Sequence, residues 1–334
     1  MFRKKWWVII PMILVLTYLL GPRPESPDYD TALPVVPDNP ESLVQYVQQQ
    51  ESEHRIKPDN EARIVWADDS IKQKTEYAIV YLHGFSASQA EGEPVHRAIA
   101  KKFGCNLYLS RLAEHGLDTT EQLVRLTAEN YWESAKEAFA IAGQLGKKII
   151  VMGTSTGGTL ALKLAATYPS VYSIILLSPN IEIFDNTARI LNNPWGLQIA
   201  RLVTGSHYIF SEDTRPLYKK YWSYGYRVEG AVALEEMIET SMNAATFRKV
   251  TQPALLLYYY KDSIHQDSVV KVGSMQKMFA ELGTEPAKKH EVAMPLTGNH
   301  VIGSYIKSAD VEGVEREIEK FMTEILNMNV KLKR

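Results

Sequence analysis

Residues 147–168 read KKIIVMGTSTGGTLALKLAATY, and this stretch constrains the fold more than any other. Residues 148–152 form a short apolar run with charge before it and glycine after it, the pattern of a buried strand. Residues 156–168 then carry Leu160 and Leu164, with Ala161 and Ala165 beside them, at helical spacing, and Pro169 closes the run. The turn between them is Gly153-Thr154-Ser155-Thr156-Gly157, a G-x-S-x-G pentapeptide. A serine on so tight a strand-to-helix turn projects its hydroxyl, and the following helix aims its N-terminal amides at the same spot. Ser155 is therefore read as a nucleophile. The pattern arises by chance about 0.07 times in a chain with this glycine and serine content, so a glycine-rich turn without chemistry is the competing reading. A phosphate-cradling loop is excluded because Thr159 stands where its lysine is required, and no G-x-G-x-x-G fingerprint occurs.

The flanking chain alternates strands and helices. Largely apolar runs at 77–82 (YAIVYL), 105–110, 173–177 (SIILL) and 253–260 (PALLLYYY) read as strands, residues 289–294 as a last short strand, and residues 62–67 as an edge strand. Helical patterns cover 41–55, 94–103, 120–145 (broken near Asn130), 269–282 and 311–332. The alternation predicts an α/β fold with a mostly parallel, doubly wound sheet and ligands at the carboxyl ends of the strands. Residues 180–248 break the rhythm with short helical pieces and the aromatics Tyr218, Tyr221, Trp222, Tyr224 and Tyr226. An insertion this long is expected to be a helical cap whose Tyr218, Tyr221 and Trp222 line an apolar substrate pocket. A subdomain packing its own aromatics is the alternative.

A serine hydroxyl needs a base, and the base needs an orienting acid. Of the eight histidines, His207, His265, His290 and His300 follow Ser155. His300 comes after the last strand, on a glycine-containing loop, and is the expected base in the chain order Ser, Asp, His. Asp262 directly follows the apolar run 253–260 and is the expected acid; Asp267, at the start of the next helix, reads better as an N-cap but stays open. The strand at 77–82 ends in His83-Gly84-Phe85-Ser86, which assigns the backbone N–H groups of Phe85 and Thr156 to an oxyanion hole, with His83 as structural support.

These four motifs in order, His83-Gly84-Phe85, Gly153 to Gly157, Asp262 and Gly298-Asn299-His300, resemble an α/β-hydrolase. Within that superfamily residues 61–330 resemble bacterial carboxylesterases and monoacylglycerol lipases, sometimes labelled serine aminopeptidase-like. The resemblance implies cleavage of small acyl or lipid-derived esters through an acyl-enzyme. A peptidase or amidase, an acyltransferase, or a non-catalytic ligand-binding domain are the alternatives. Two positions depart from the family pattern: Glu114 replaces the first glycine of a Gly-His-Gly loop, and Tyr259 stands where a glycine precedes the acid by three residues.

A net charge of −2 and the absence of a basic stripe give no case for nucleic acid. The single cysteine, Cys105, rules out an internal disulfide and a cysteine metal cage, and no metal or organic cofactor is implied. At the N-terminus, Arg3-Lys4-Lys5 precede an uncharged apolar stretch, residues 6–20, with no small-x-small cleavage site after it. Residues 1–20 are expected to be an uncleaved membrane anchor, with a removed signal peptide as the alternative, and the catalytic domain beyond the membrane. Residues 21–40, with Pro22, Pro24, Pro27, Pro34, Pro37 and Pro40, are expected to be a semi-rigid stalk.

Overall fold

The computed structural model describes residues 6–331. Nine strands are named in chain order: β1 (Arg63–Val65), β2 (Thr75–Leu82), β3 (Asn106–Leu109), β4 (Gly146–Thr154), β5 (Val171–Leu177), β6 (Tyr208–Phe210), β7 (Gly225–Arg227), β8 (Ala254–Tyr258) and β9 (Lys289–Ala293). The helices are α1 (Trp6–Leu19), α2 (Pro40–Ser52), α3 (Val95–Phe103), α4 (Ala128–Leu145), α5 (Thr156–Thr167), α6 (Gly196–Thr204), α7 (Pro216–Tyr221), α8 (Val228–Ser241), α9 (Ala244–Lys249), α10 (Val272–Glu281) and α11 (Val311–Lys320). Seven strands form one sheet in the order β1-β3-β2-β4-β5-β8-β9. Only β1, the edge strand, runs antiparallel to its neighbour.

Successive side chains of a strand point to opposite faces, so a continuous apolar run implies burial on both. In β2, Ala78, Val80 and Leu82 enter one core layer and Ile79 and Tyr81 the other; in β4, Ile149 and Val151 oppose Ile150 and Met152. The first layer is closed by α2, α4, α5 and α10, the second by α3 and α11. The doubly wound sheet expected from the sequence is therefore present. The helical stretch expected from residue 120 begins later, at Ala128, because Thr127 and Asn130 form a reciprocal capping box there.

Residues 180–248 supply α6 to α8, most of α9, and the β6-β7 hairpin, outside the main sheet. Helix α7 is fastened to residues 57–60: Lys57 Nζ donates to the carbonyls of Lys219 (3.1 Å) and Trp222 (2.9 Å), and Asn60 Nδ2 to that of Lys220 (3.0 Å).

Two N-terminal expectations are corrected. Helix α1 has 14 residues, about 21 Å at 1.5 Å per residue against a hydrocarbon core of ~30 Å. Among the described residues no helix is long and apolar enough to cross a membrane, so the expected anchor and the placement beyond a membrane are withdrawn. The basic flank Arg3-Lys4-Lys5 lies outside the described residues. Nor do residues 21–40 stand clear as a stalk, since Pro40 already begins α2 and the segment before it packs on the domain. The Tyr29 hydroxyl bonds Thr240 Oγ1 (2.6 Å), Trp132 Nε1 donates to the Asp30 carbonyl (2.7 Å), and Val36 joins the core. Apolar side chains between the prolines gain more by packing on α4 and α8 than by staying in water.

Candidate active site

Register brings the loops of the site together. Gly153 pairs with Leu82, and Thr154 with Leu177, so Ser155 emerges level with His83 and Ser178 at the carboxyl edge of the sheet. Ser155 has φ 52° and ψ −119°, a region that L residues occupy only when surrounding structure imposes it. The imposition is visible: the Ser155 amide donates to the Leu177 carbonyl (2.9 Å), and the Ser155 carbonyl accepts from Gly158 (2.8 Å) and Asn180 (2.9 Å). The pentapeptide glycines answer to close approach. A Cβ on Gly153 would lie 2.3 Å from the Gly157 carbonyl oxygen, and one on Gly157 would lie 1.9 Å from that of Leu82.

His300 is buried, on the loop after β9, and its Nδ1 is 2.5 Å from Asp267 Oδ2. Its other nitrogen, Nε2, is buried without a hydrogen-bond partner among the described residues. Burial alone would lower the His300 pKa, but the charge and hydrogen bond of Asp267 outweigh it and the net shift is upward. Ser155 and His300 line one cavity of about 630 Å³, together with Phe85, Glu91, Asn180, Tyr218, Trp222, Tyr226 and Leu234.

Asp262 is not the partner of His300. Its carboxylate lies on the exposed side of the loop and bonds His265 Nδ1 at 3.0 Å. Hydrogen bonds from the His265 backbone and side chain hold it down at about 2. The correction has a structural cause. Beyond β8 the chain doubles back: Tyr260 pairs with Gln266, Lys261 N donates to the His265 carbonyl (2.9 Å), and Asp267 N to the Tyr259 carbonyl (3.1 Å). This small hairpin extrudes residues 261–265 and returns Asp267 to the level of the strand end. Asp267 also makes the cap contacts expected of it, since Oδ1 accepts from the amides of Val269 (2.8 Å) and Val270 (3.1 Å), leaving Oδ2 for His300.

The cap contributes Tyr218, Trp222 and Tyr226 to the cavity wall, and the Tyr218 and Trp222 rings stack with centroids 5.2 Å apart. Tyr221 is not part of that wall: its hydroxyl turns to Asp59 Oδ2 (2.6 Å) and helps fasten α7 to residues 57–60. Trp222 follows the last residue of α7, one turn beyond Tyr218, and its amide donates to the Tyr218 carbonyl, whereas Tyr221 is offset from that face.

Phe85 lines the same cavity, and the buried Thr156 directly follows Ser155. Thr156 is the first residue of α5, where helix amides have no intrahelical acceptor. The buried His83 accepts from the Leu112 amide at Nε2 (3.1 Å), so its proton sits on Nδ1, which donates to the Gly84 carbonyl (2.9 Å). Burial pushes it down to about 4, so it stays neutral. Glu114, at the departure from the Gly-His-Gly pattern, has φ 64°, the left-handed conformation that a glycine would take more easily.

This architecture has counterparts among solved structures. One of LipS and LipT, two metagenome-derived lipolytic enzymes, superposes with a TM-score of 0.63 at 17% identity, over 81% of this chain and 100% of its own. The chain has the α/β-hydrolase fold. Est1E from Butyrivibrio proteoclasticus aligns with a TM-score of 0.55 at 16% identity, over 81% of this chain and 98% of its own. The enol-lactonase from Burkholderia xenovorans LB400 does so with a TM-score of 0.51 at 15% identity, over 78% and 95% of the two chains. In sequence, a family model described as "Putative esterase" matches residues 118–225. A thermostable monoacylglycerol lipase of Bacillus sp. (strain H-257) is 31% identical over 105 residues, which are 31% of this chain and 41% of the lipase. The match thus spans less than half the length of that relative.

Proposed function

We propose that this α/β-hydrolase cleaves carboxylic esters, with Ser155 as nucleophile, His300 as general base and Asp267 as the acid that orients it. The observation that carries the reading is His300: its Nδ1 is held by buried Asp267, and its Nε2 is unpartnered on a loop that shares a cavity with Ser155. Unlike Asp262, Asp267 satisfies the geometric demand on a triad acid.

In the proposed reaction Nε2 takes the Ser155 proton as Oγ bonds to the ester carbonyl carbon, and the carbonyl π electrons move to oxygen. The Phe85 and Thr156 amides donate to that oxyanion. Collapse expels the alkoxide, which takes the proton from His300 and leaves as alcohol. Water then attacks the acyl-enzyme with His300 again as base, releasing the carboxylic acid and restoring Ser155. The stacked Tyr218 and Trp222 offer an apolar wall to an acyl chain, consistent with small acyl or lipid-derived esters.

A fluorophosphonate probe is expected to label the wild type and not Ser155→Ala, with loss of p-nitrophenyl ester hydrolysis in the same variant. Equal labelling of both proteins sinks the assignment.

A further inference from the structure

The cavity holds a carboxyl group that the triad does not use. Glu91 lies on the short 3-10 turn Gln89–Gly92. It is 2% exposed, and among the described residues it forms no salt bridge with lysine or arginine. A buried carboxyl without a cation is a poor stabiliser, and an apolar side chain of similar size would serve the core better. What it touches is the loop before Phe85. Oε2 accepts from the Gly84 amide at 2.5 Å, and a Cβ built on Gly84 would stand 2.9 Å from both Glu91 oxygens and 3.0 Å from Ser155 Cβ. Gly84 thus packs against both the Glu91 carboxyl and Ser155.

Gly84 has no side chain to restrict its φ and ψ, so its two flanking peptide planes need external holds. The structure supplies one for each. The Gly84 carbonyl accepts from His83 Nδ1 (2.9 Å) and the Ala87 amide (3.3 Å). In a planar trans peptide the following N–H, that of Phe85, then points the opposite way. The preceding plane, carrying the Gly84 N–H, is held by Glu91.

We propose that Glu91 is a positioning residue of the oxyanion hole: its carboxyl oxygen holds the Gly84 N–H so that the next peptide presents the Phe85 N–H to the oxyanion. This rests on the ester-hydrolysis reading and deepens it. Burial pushes the Glu91 carboxyl up to about 7 against the opposing pulls of the Gly84 amide and His300, so a substantial neutral fraction is present near pH 7. The neutral form still accepts from Gly84 through its carbonyl oxygen while placing no full negative charge beside the oxyanion. A glutamine side chain reproduces that form.

The test compares Glu91→Gln and Glu91→Leu with the wild type and Ser155→Ala, by steady-state hydrolysis of a p-nitrophenyl ester and inhibition by an alkylboronic acid. Leucine fills the space and removes the buried carboxyl, so folding, checked by thermal melting, is retained. Glu91→Leu is expected to lower kcat about 10- to 100-fold with KM within about 3-fold, since a displaced donor costs less than the ~10²–10³ of a deleted one. Boronate affinity should fall in step with kcat. Glu91→Gln should stay within about 5-fold of wild type, the rescue expected of a retained acceptor. A Glu91→Leu kcat within about 3-fold of wild type, or a Gln variant as impaired as the Leu variant, overturns the proposal. Absent wild-type turnover, or turnover that survives Ser155→Ala, overturns the hydrolase reading itself and is distinguishable from both.

Discussion

Replacing Asp267 with asparagine separates the two roles that its carboxylate combines. Oδ1 caps the turn at Val269 and Val270, and Oδ2 receives the His300 Nδ1 proton at 2.5 Å. An asparagine can keep its oxygen on the two amides, which preserves the fold, but it then presents an NH2 group to Nδ1. Nδ1 must become the acceptor, so the imidazole proton moves to Nε2, and the nitrogen facing the cavity no longer accepts the serine proton. The imidazolium formed in the transition state also loses its counter-charge in a fully buried setting, where screening is weakest. Together these predict a loss of ~10³–10⁴ in kcat, about 4–5.5 kcal/mol of transition-state stabilisation, in the range found when a triad acid is neutralised. Substrate binding does not involve Asp267, so KM should change by less than about 3-fold. The control is Asp262→Asn, whose carboxylate is exposed and bonded to His265. It should keep kcat within about 2-fold of wild type. Both variants are assayed on a p-nitrophenyl ester, with thermal melting to show that each is folded. Near-wild-type turnover in folded Asp267→Asn, or a collapse in Asp262→Asn, refutes the assignment.

The protonation of His300 sets two opposite pH dependences. The base must be neutral, so kcat/KM should rise with pH along a limb centred above 6.5, the side to which Asp267 moves His300; in Asp267→Asn, residual activity should show the limb at lower pH. For stability the sign reverses: the folded state binds this proton more tightly than the unfolded chain. The ion pair therefore contributes fully below about 6.5 and is lost as pH rises through the folded-state value, which histidine NMR titration and melting against pH can follow. In the cap, Trp222→Ala removes one of the stacked rings and should raise KM for long acyl esters more than for acetate esters. Tyr221→Phe loses only the Asp59 bond and should leave acyl-chain preference unchanged while lowering stability by about 1 kcal/mol.

Much of the fold was legible in local pattern. The runs at 77–82, 149–152 and 174–177 are continuous and apolar because their strands are covered on both faces, and such burial leaves its signature in composition. The turn at Ser155 was legible because only glycine fits where Gly153 and Gly157 meet neighbouring backbone. Other features depend on contacts remote in sequence. Proximity to the apolar run favoured Asp262, and nothing local announces that Tyr260 and Gln266 pair and return Asp267 to the strand end. A proline-rich segment reads as extended whether or not α4 lies beneath it, so the packing of Tyr29 and Val36 was invisible. The apolar stretch at the N-terminus announced hydrophobicity, but the length of the helix it forms is a structural quantity.

By itself, then, the sequence determined the βα rhythm, the tight turn at Ser155 and the order in which the reactive residue types follow one another, because backbone sterics and burial act over a few residues. Only the tertiary structure decided which aspartate meets His300, which cap aromatics face the cavity and that Glu91 lies against Gly84. Those choices depend on loop lengths and on contacts between segments far apart in the chain, where a single extra turn exchanges one carboxylate for another.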